Sequence, residues 1–549
     1  MSTADKASGA LARAARRVID PRELRVAAVL DEASAACLGP ECELIEVTSD
    51  GWREELEERE PHLLLVESAW AGTSGSWQYQ VASYDHPDSA GLARLTELTG
   101  WCRDRDVPTV FWSNADPAYG ERFRAAAGLF DRVFTTHGES VPTLATADGS
   151  EPPAVAVLPF AAAPALHNPS GAPDRRDSRP CWVGAFHAAA RDPLLAPATA
   201  LGLAIYEPLT RQPDGYEGFP DDLAAHVAGH PTYARAGLAY RAHAVALSAE
   251  PAPASPTMVA RGAFEAAACG TAVVSTPSHG LGAVFGDLVT VVETPAATTA
   301  AIERVTEDEG RRSRITTAAR RLVFAEHTYR HRLATIARAA GYQVSAEADR
   351  RVTAIMLVDE LAEIARLGSL AEALARQSVP PVEVLVGLGR DDDAPEAELG
   401  PLDDLGQLTA RIVRQDGALK RSERYAELAA IASSNWLAVV HPVHAYGRHH
   451  LGDLFATTRY VSADALGTAT SPDAGAEHRF VAALHPHSAL ARRQLVTARG
   501  WQDERPADAA DRASTFAAGI RSYAVGGGSF TSASTAAAGL GGRTAALSA

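Results

Sequence analysis

Arg261 and Glu265 stand four residues apart in S-P-T-M-V-A-R-G-A-F-E-A-A-A-C-G, residues 255–270. The grammar of this segment is that of a helix between two strands. Ser255 can cap, Pro256 suits the first helical position, and Gly270 suits the exit. On such a helix Arg261 and Glu265 share one face, while Phe264 and Ala268 form a stripe directed at a sheet. The combination has chemistry to offer a phosphorylated ligand. Amides at a helix N-terminus attract phosphate, a guanidinium grips diphosphate oxygens in pairs, and a carboxylate can hold two vicinal hydroxyls. The plainer reading is a surface ion pair, which contributes roughly a few tenths of a kcal/mol and prefers Glu on the N-terminal side. Here Arg comes first, and spacing alone leaves both readings open.

The elements that would position this helix come from alternating short apolar runs and longer amphipathic ones. Strands are predicted at 25–30, 62–66, 109–112, 132–135 and 154–160, with helices between them, such as 91–103 and 118–130. After a Pro-rich stretch at 164–180, read as a linker, strands recur at 181–186, 203–206, 244–248, 271–275 and 288–292. Helices follow at 298–307, 311–324 and 329–340. Strand–helix alternation implies parallel sheets covered on both faces, so the expectation is two successive doubly wound α/β domains. Ligands of such folds bind at the carboxyl ends of strands and in the cleft between the halves. A second linker, 341–348, precedes a further α/β start with strands at 352–358, 382–387 and 436–440, and helices through 370–376, at 425–433 and at 451–457. The expected division is a leader (1–20), a first Rossmann-like domain (21–170), a second (175–341), a third α/β domain (350–505) and a low-complexity tail (506–549) rich in Ala, Gly, Ser and Thr.

Bulk properties exclude some functions. A formal charge of −17 argues against a nucleic-acid partner, which normally calls for a basic surface. Cys37, Cys42, Cys102, Cys181 and Cys269 contain no CxxC pair and suit a reducing compartment. With no apolar signal core and no stretch long enough to span a bilayer, the expected location is cytoplasmic, with peripheral membrane association left open.

Several pieces in order resemble bacterial glycosyltransferases of the spore-maturation-protein type, related to the group-one transferases of GT-B fold. They are P-H-L-L-L-V-E-S-A-W (61–70), F-W-S-N-A-D-P (111–117), F-D-R-V-F-T-T (130–136), L-P-F-A-A (158–162), H-N-P (167–169), the segment 255–270 and H-T-Y-x-H-R (327–332). The resemblance covers about residues 24–342. It implies a sugar-nucleotide donor held mainly by the second Rossmann domain, with Arg261 on the diphosphate, Glu265 on the ribose or sugar, and Ser255, Thr257 and Gly184 also on the donor side. It puts Glu67, Trp70, Asn114 and Asp116 beyond strand ends on the acceptor side. Glu67 or Asp116 could polarise an acceptor hydroxyl or orient it, although Asp116 before Pro117 is equally a turn residue. Trp70 and Trp77 could stack on a sugar or lie buried. The chain departs from the family where two asparagines usually precede the donor helix (here L-S-A-E, 247–250), where an arginine often follows the strand at 205–206 (here Glu207 and Pro208), and at Gly262, usually basic.

Residues 352–501 more weakly resemble family-two glycosyltransferases of GT-A fold, through 370–387 and the run W-L-A-V-V-H-P-V-H-A-Y-G-R-H-H-L-G-D-L (436–454). That resemblance implies clustered aspartates for a divalent metal, yet His441, Pro442, Val443 and His444 occupy the place. Imidazole suits zinc rather than magnesium. Either His441 and His444, with His449 or His450, form a transition-metal site, or the acidic motif has decayed. The expectation is decay, with no metal site and no sugar transfer in this domain, which would serve docking, acceptor presentation or assembly. His485 and His487 are read as a solvated turn before a helix at 488–494. The whole chain is thus expected to be a metal-independent glycosyltransferase needing no cofactor, with a nucleotide-diphosphate sugar as donor and an unidentified acceptor. A homo-oligomer or a partner transferase is compatible, and the competing expectation is an inactive scaffold.

Overall fold

A computed structural model describes residues 20–83, 92–146, 153–210, 216, 218–346, 351–359, 361–389, 408–470, 477–503, 520–526 and 529–532. The chain divides into two compact units, Met1–Ala346 and Glu347–Ala549. Of the expected leader, Asp20 alone falls among the described residues.

The first unit holds two parallel sheets of six strands. The first comprises β1 (Arg25–Val29), β2 (Glu43–Glu46), β3 (Leu63–Glu67), β4 (Thr109–Ser113), β5 (Arg132–Thr135) and β6 (Ala154–Val157), in the order β2-β1-β3-β4-β5-β6. β3 and β4 are buried along their whole length, as apolar runs covered on both faces must be. The core beside them gathers Trp52, Trp77, Trp101, Phe111 and Phe123. Strand order reverses between β1 and β3, which places a ligand-type crevice at their carboxyl ends.

The second sheet comprises β7 (Asp177–Val183), β8 (Ala204–Tyr206), β9 (Val227–Gly229), β10 (His243–Ser248), β11 (Ala272–Ser275) and β12 (Thr290–Val291), ordered β12-β11-β10-β7-β8-β9 and parallel throughout. Its reversal lies between β7 and β10. β2 and β9, absent from the predicted strands, are short, half-exposed edge strands without a continuous apolar run.

The stretch 164–180 is not a free linker. His167 and Asn168 are buried, Arg241 donates to the carbonyls of Leu166 and Ser170 at 2.7 and 2.9 Å, and β7 already begins at Asp177. Polar and Pro-rich composition signals missing regular structure; here side-chain hydrogen bonds hold the backbone instead. Two motif pieces meet in one seam. Ala162 N–H donates to the His327 carbonyl and Tyr329 N–H to the Ala162 carbonyl, both at 3.0 Å. Arg332 donates to the carbonyls of Pro159 and Phe160, each at 2.7 Å. Likewise in 341–348, Tyr342 O–H donates to the His62 carbonyl at 2.9 Å.

The second unit is built on a mixed eight-stranded sheet. Its strands are β13 (Val352–Val358), β14 (Glu383–Leu388), β15 (Thr409–Arg414), β16 (Trp436–Val439), β18 (Ala465–Gly467), β19 (Arg479–Val481), β20 (Leu490–Arg492) and β21 (Ser522–Ala524). The order is β15-β14-β13-β16-β20-β18-β21-β19, and β17 (Ala445–Tyr446) pairs separately with β22 (Phe530–Thr531). Two expectations are corrected. The segment 488–494 is not a helix; β20 runs antiparallel to β16 and the helix is Arg493–Arg499. Part of the expected tail is core structure, with Tyr523 0% and Phe530 9% exposed. Strands this short are stabilised by neighbours in the sheet, so composition and periodicity carry no trace of them.

Candidate functional site

The predicted donor helix forms as Arg261–Ala268, shorter than expected at its N-terminus. Ala260 is its cap residue and 255–260 approach in non-helical conformation. Ser255 therefore does not cap it; its hydroxyl donates to Glu139 Oε2 of the first sheet's half at 2.8 Å. The capping carboxylate is Glu250, just past β10, whose Oε2 accepts the Ala260 N–H at 2.9 Å. Gly270, at φ +71, makes the left-handed exit that a side chain would resist. Phe264 and Ala268 are fully buried, as their stripe requires.

Arg261, the first helical residue, places its guanidinium 4.6 Å from the centre of the Phe160 ring and 5.9 Å from that of Tyr233. Among the described residues it has no hydrogen bond or ion pair. Burial works against its charge, but the surrounding Tyr329, Tyr233 and Glu265 more than offset this, so it is held protonated above its ordinary range. Glu265 lies one turn on, yet faces inward at 4% exposure. Tyr233 donates to its Oε1 and Tyr240 to its Oε2, and His167 Nε2 is 3.9 Å away. The two tyrosines are seven apart on helix Tyr233–Ala242, hence on one face. A ribose contact by Glu265 would have to displace one of them. Cys37 extends the cluster, its Sγ 3.5 Å from Tyr233 Oη, with burial pushing the thiol up to about 12. All five cysteines are free and buried.

At the carboxyl end of β3, Glu67 is 2% exposed. It accepts the Asp31 N–H at 2.7 Å, the Ser34 hydroxyl at 2.5 Å and the Asn114 side-chain amide. Burial first, then the Asp31 charge, push its carboxyl up to about 7, and the hydroxyl of Ser34 and the charge of Arg261 oppose the shift. Glu67 and Arg261, from different sheets, thus lie within electrostatic reach of each other. Asp31 was not among the predicted site residues. It follows β1, and its carboxylate accepts the N–H groups of Trp70, Ala71 and Gly72, setting the loop beyond β3.

The other sequence-predicted residues fall in different places. Asn114 bridges Glu67 and Ser68, whose hydroxyl donates to Asn114 Oδ1 at 2.7 Å. Trp70 is half-buried, edge-on to Tyr119 and Phe123, each at 5.1 Å. Trp77 is core, 1% exposed, with its indole N–H on the Val47 carbonyl at 2.7 Å. Asp116 is buried and accepts the Thr135 hydroxyl at 2.6 Å, a framework role in its turn; burial raises its pKa. Thr257 Oγ1 accepts the Gly138 N–H at 2.8 Å, so with Ser255 it joins the two halves of the unit. Gly184, at φ +149, ends β7 at the second reversal point.

Two acidic departures from the family pattern have clear surroundings. Glu250 is 4% exposed and burial pushes it up to about 7. Glu207 accepts the Tyr216 hydroxyl at 2.7 Å and has His230 Nδ1 3.6 Å away. No sequence signal pointed to Tyr233 or Tyr240, whose role arises from contact with a helix 25 or more residues later.

Solved structures similar to parts of the chain include a mannosyltransferase from Pyrobaculum calidifontis in complex with GDP-Man and Mn2+, at 16% identity and a TM-score of 0.28, covering 32% of this chain and 54% of that one. The chain thus spans about half the length of that relative. A sucrose-phosphate synthase from Thermosynechococcus elongatus shows 13% identity and a TM-score of 0.35, covering 53% and 76%. A glycosyltransferase from Rickettsia africae shows 11% identity and a TM-score of 0.37, covering 57% and 97%. No curated protein matches the chain. A family profile described as glycosyl transferase-like matches residues 191–338, the segment that carries Glu250, Arg261 and Glu265.

Proposed function

We propose that the first unit transfers a sugar from a nucleotide-diphosphate donor to an acceptor hydroxyl without a metal ion. The observation that carries this reading is Arg261, a part-buried cation at a helix start with no ion pair to an anion among the described residues. A diphosphate supplies the missing partner, and in the transfer step the guanidinium stabilises the charge growing on the leaving group. Thr257, Ser255 and Gly184 shape the donor side. Glu67 is the better acceptor-side base, because a carboxyl near pH 7 can take a proton at neutral pH, and Asn114 orients it. Trp70 lines the acceptor side. The second unit is a family-two-derived, GT-A-like domain that does not itself transfer sugar and serves docking or assembly. The reaction belongs to the cytoplasm; no helix among the described residues is long and apolar enough to cross a membrane.

A second reading, a nucleotide-binding scaffold without turnover, is favoured by Glu250. Its carboxylate already occupies the Ala260 amide, a place where a phosphate would be welcome, and its negative charge opposes a diphosphate. Thermal shift with UDP, GDP and ADP separates these readings. Stabilisation by a nucleoside diphosphate that Arg261→Ala abolishes supports the donor site, and sugar release from the matching nucleotide sugar supports transfer. Stabilisation with no turnover across acceptors supports the scaffold. No shift with any nucleotide removes the donor site.

A further inference from the structure

Three histidines of the second unit converge although 41 residues separate the first from the second. His444 lies in the loop after β16, and His485 and His487 flank Pro486 just before β20. β20 pairs antiparallel with β16, which brings the two loops to the same end of the sheet. Each histidine offers a ring nitrogen such that the three lie within 4.8 Å of one another. His444 Nε2 and His487 Nδ1 are already 3.1 Å apart. Two nitrogens on a tetrahedral cation, with bonds of about 2.0–2.1 Å, stand about 3.3 Å apart, so this pair spans one edge of such a polyhedron. The third nitrogen has to close by at most about 1.5 Å.

The far side of His487 supports the same assignment. Asp503 Oδ2 lies 3.6 Å from its Nε2, and both Asp503 oxygens accept from Arg421 Nε at 2.9 Å. At 3.6 Å the carboxylate is just beyond hydrogen-bond distance, yet its charge favours the proton on Nε2, the tautomer that leaves the Nδ1 lone pair for a cation. His441 is directed elsewhere, with Nε2 3.0 Å from Glu363 Oε1 and Nδ1 accepting the Val443 N–H at 3.3 Å. The turn at 485–487 is therefore not simply solvated.

We infer that His444, His485 and His487 form a site for a divalent transition cation of the zinc class, held by three imidazoles with a fourth position for water. An all-nitrogen set selects against magnesium and calcium, which prefer oxygen. Phe530 of β22 covers the ring set, with its centroid 4.8 Å from that of His485 and 5.5 Å from that of His444. The cation would tie the loop after β16 to the turn before β20 and support the strand lying on both. The site is independent of the proposed donor site.

The test uses the full chain, without a histidine tag, stripped by chelator and dialysed against Zn2+ and, separately, Co2+. One equivalent of Zn2+ by elemental analysis and an intense visible Co2+ absorption of four-coordinate type are expected. His485→Gln and His487→Gln should each weaken Zn2+ binding at least tenfold with the near-ultraviolet circular dichroism unchanged. Asp503→Asn should weaken it about tenfold, and the exposed His187→Gln not at all. Zn2+ retention unaffected by His485→Gln and His487→Gln together, a weak six-coordinate Co2+ spectrum, or no binding below millimolar Zn2+ would each overturn the site.

Discussion

The segment after β10 in the first unit and the loop after β16 in the second both follow a central strand at a place where the sequence draws attention, and they treat charge in opposite ways. After β10, ionisable oxygens are buried around a permanent cation. Glu250 caps the helix Arg261–Ala268, Glu265 is held by two tyrosines, and Arg261 has no hydrogen bond or ion pair among the described residues. After β16, imidazoles crowd together and burial drives them neutral, as at His444 and His450, pushed down to about 3 and about 4. A part-buried cation without an ion pair suits an anion, as proposed for the first region, whereas clustered imidazole nitrogens suit a cation, as inferred for the second.

The largest test of this contrast is Arg261→Ala. It should weaken a stabilising nucleoside diphosphate about 100-fold, removing roughly 2.7 kcal/mol of ligand-induced stability in a melting experiment. His487→Gln should leave that ligand effect unchanged. If the histidine variant instead abolished the nucleotide shift, the two regions could not be separate sites.

Glu250→Gln is next. Its folded pKa, about 7, lies above the unfolded value of roughly 4.3, so between those values the native state binds more protons than the unfolded state. Stability contributed by the protonated carboxyl is then full below about pH 4.3, falls as pH rises toward about 7, and levels off above. The glutamine variant, which can still accept the Ala260 N–H, should lose this slope and exceed the parent by about 3–4 kcal/mol at pH 8 in urea unfolding. An unchanged slope would mean that Glu250 is ionised without cost.

Tyr233→Phe removes one of the two hydroxyls on buried Glu265 and should cost about 1–3 kcal/mol in stability, since a buried acceptor left unpaired loses its desolvation compensation. A neutral outcome would show that water replaces the hydroxyl, reopening Glu265 to a ligand. The smallest effect is expected for Thr257→Val, about 1 kcal/mol, through loss of the bond to the Gly138 N–H. Should that variant alter donor affinity more than stability, Thr257 would touch the donor rather than only join the halves.

Much of the fold was legible in the chain. The buried runs at β1, β3, β4 and β10 have no polar alternation, which only a sheet covered on both faces explains. The helical spacing that pairs Arg261 with Glu265, and the left-handed Gly270 behind them, were equally readable. Edge strands such as β2, and the short β18 to β22, were not, because neighbours rather than their own patterns stabilise them.

Site assignment followed the same division. Residue type and spacing by themselves determined that Arg261 and Glu265 share a helix and that Glu67 ends a strand. Tertiary structure alone decided that Glu265 turns inward to Tyr233 and Tyr240, that Trp77 is core, that Glu67 comes within electrostatic reach of Arg261, and that His444 points a ring nitrogen at those of His485 and His487 while the neighbouring His441 turns its Nε2 to Glu363. The physical reason is range. Helix and strand periodicity are set by neighbours a few residues away, whereas the proton affinity of a buried group and the convergence of ligands depend on atoms that chain folding brings from 25 to nearly 200 residues away.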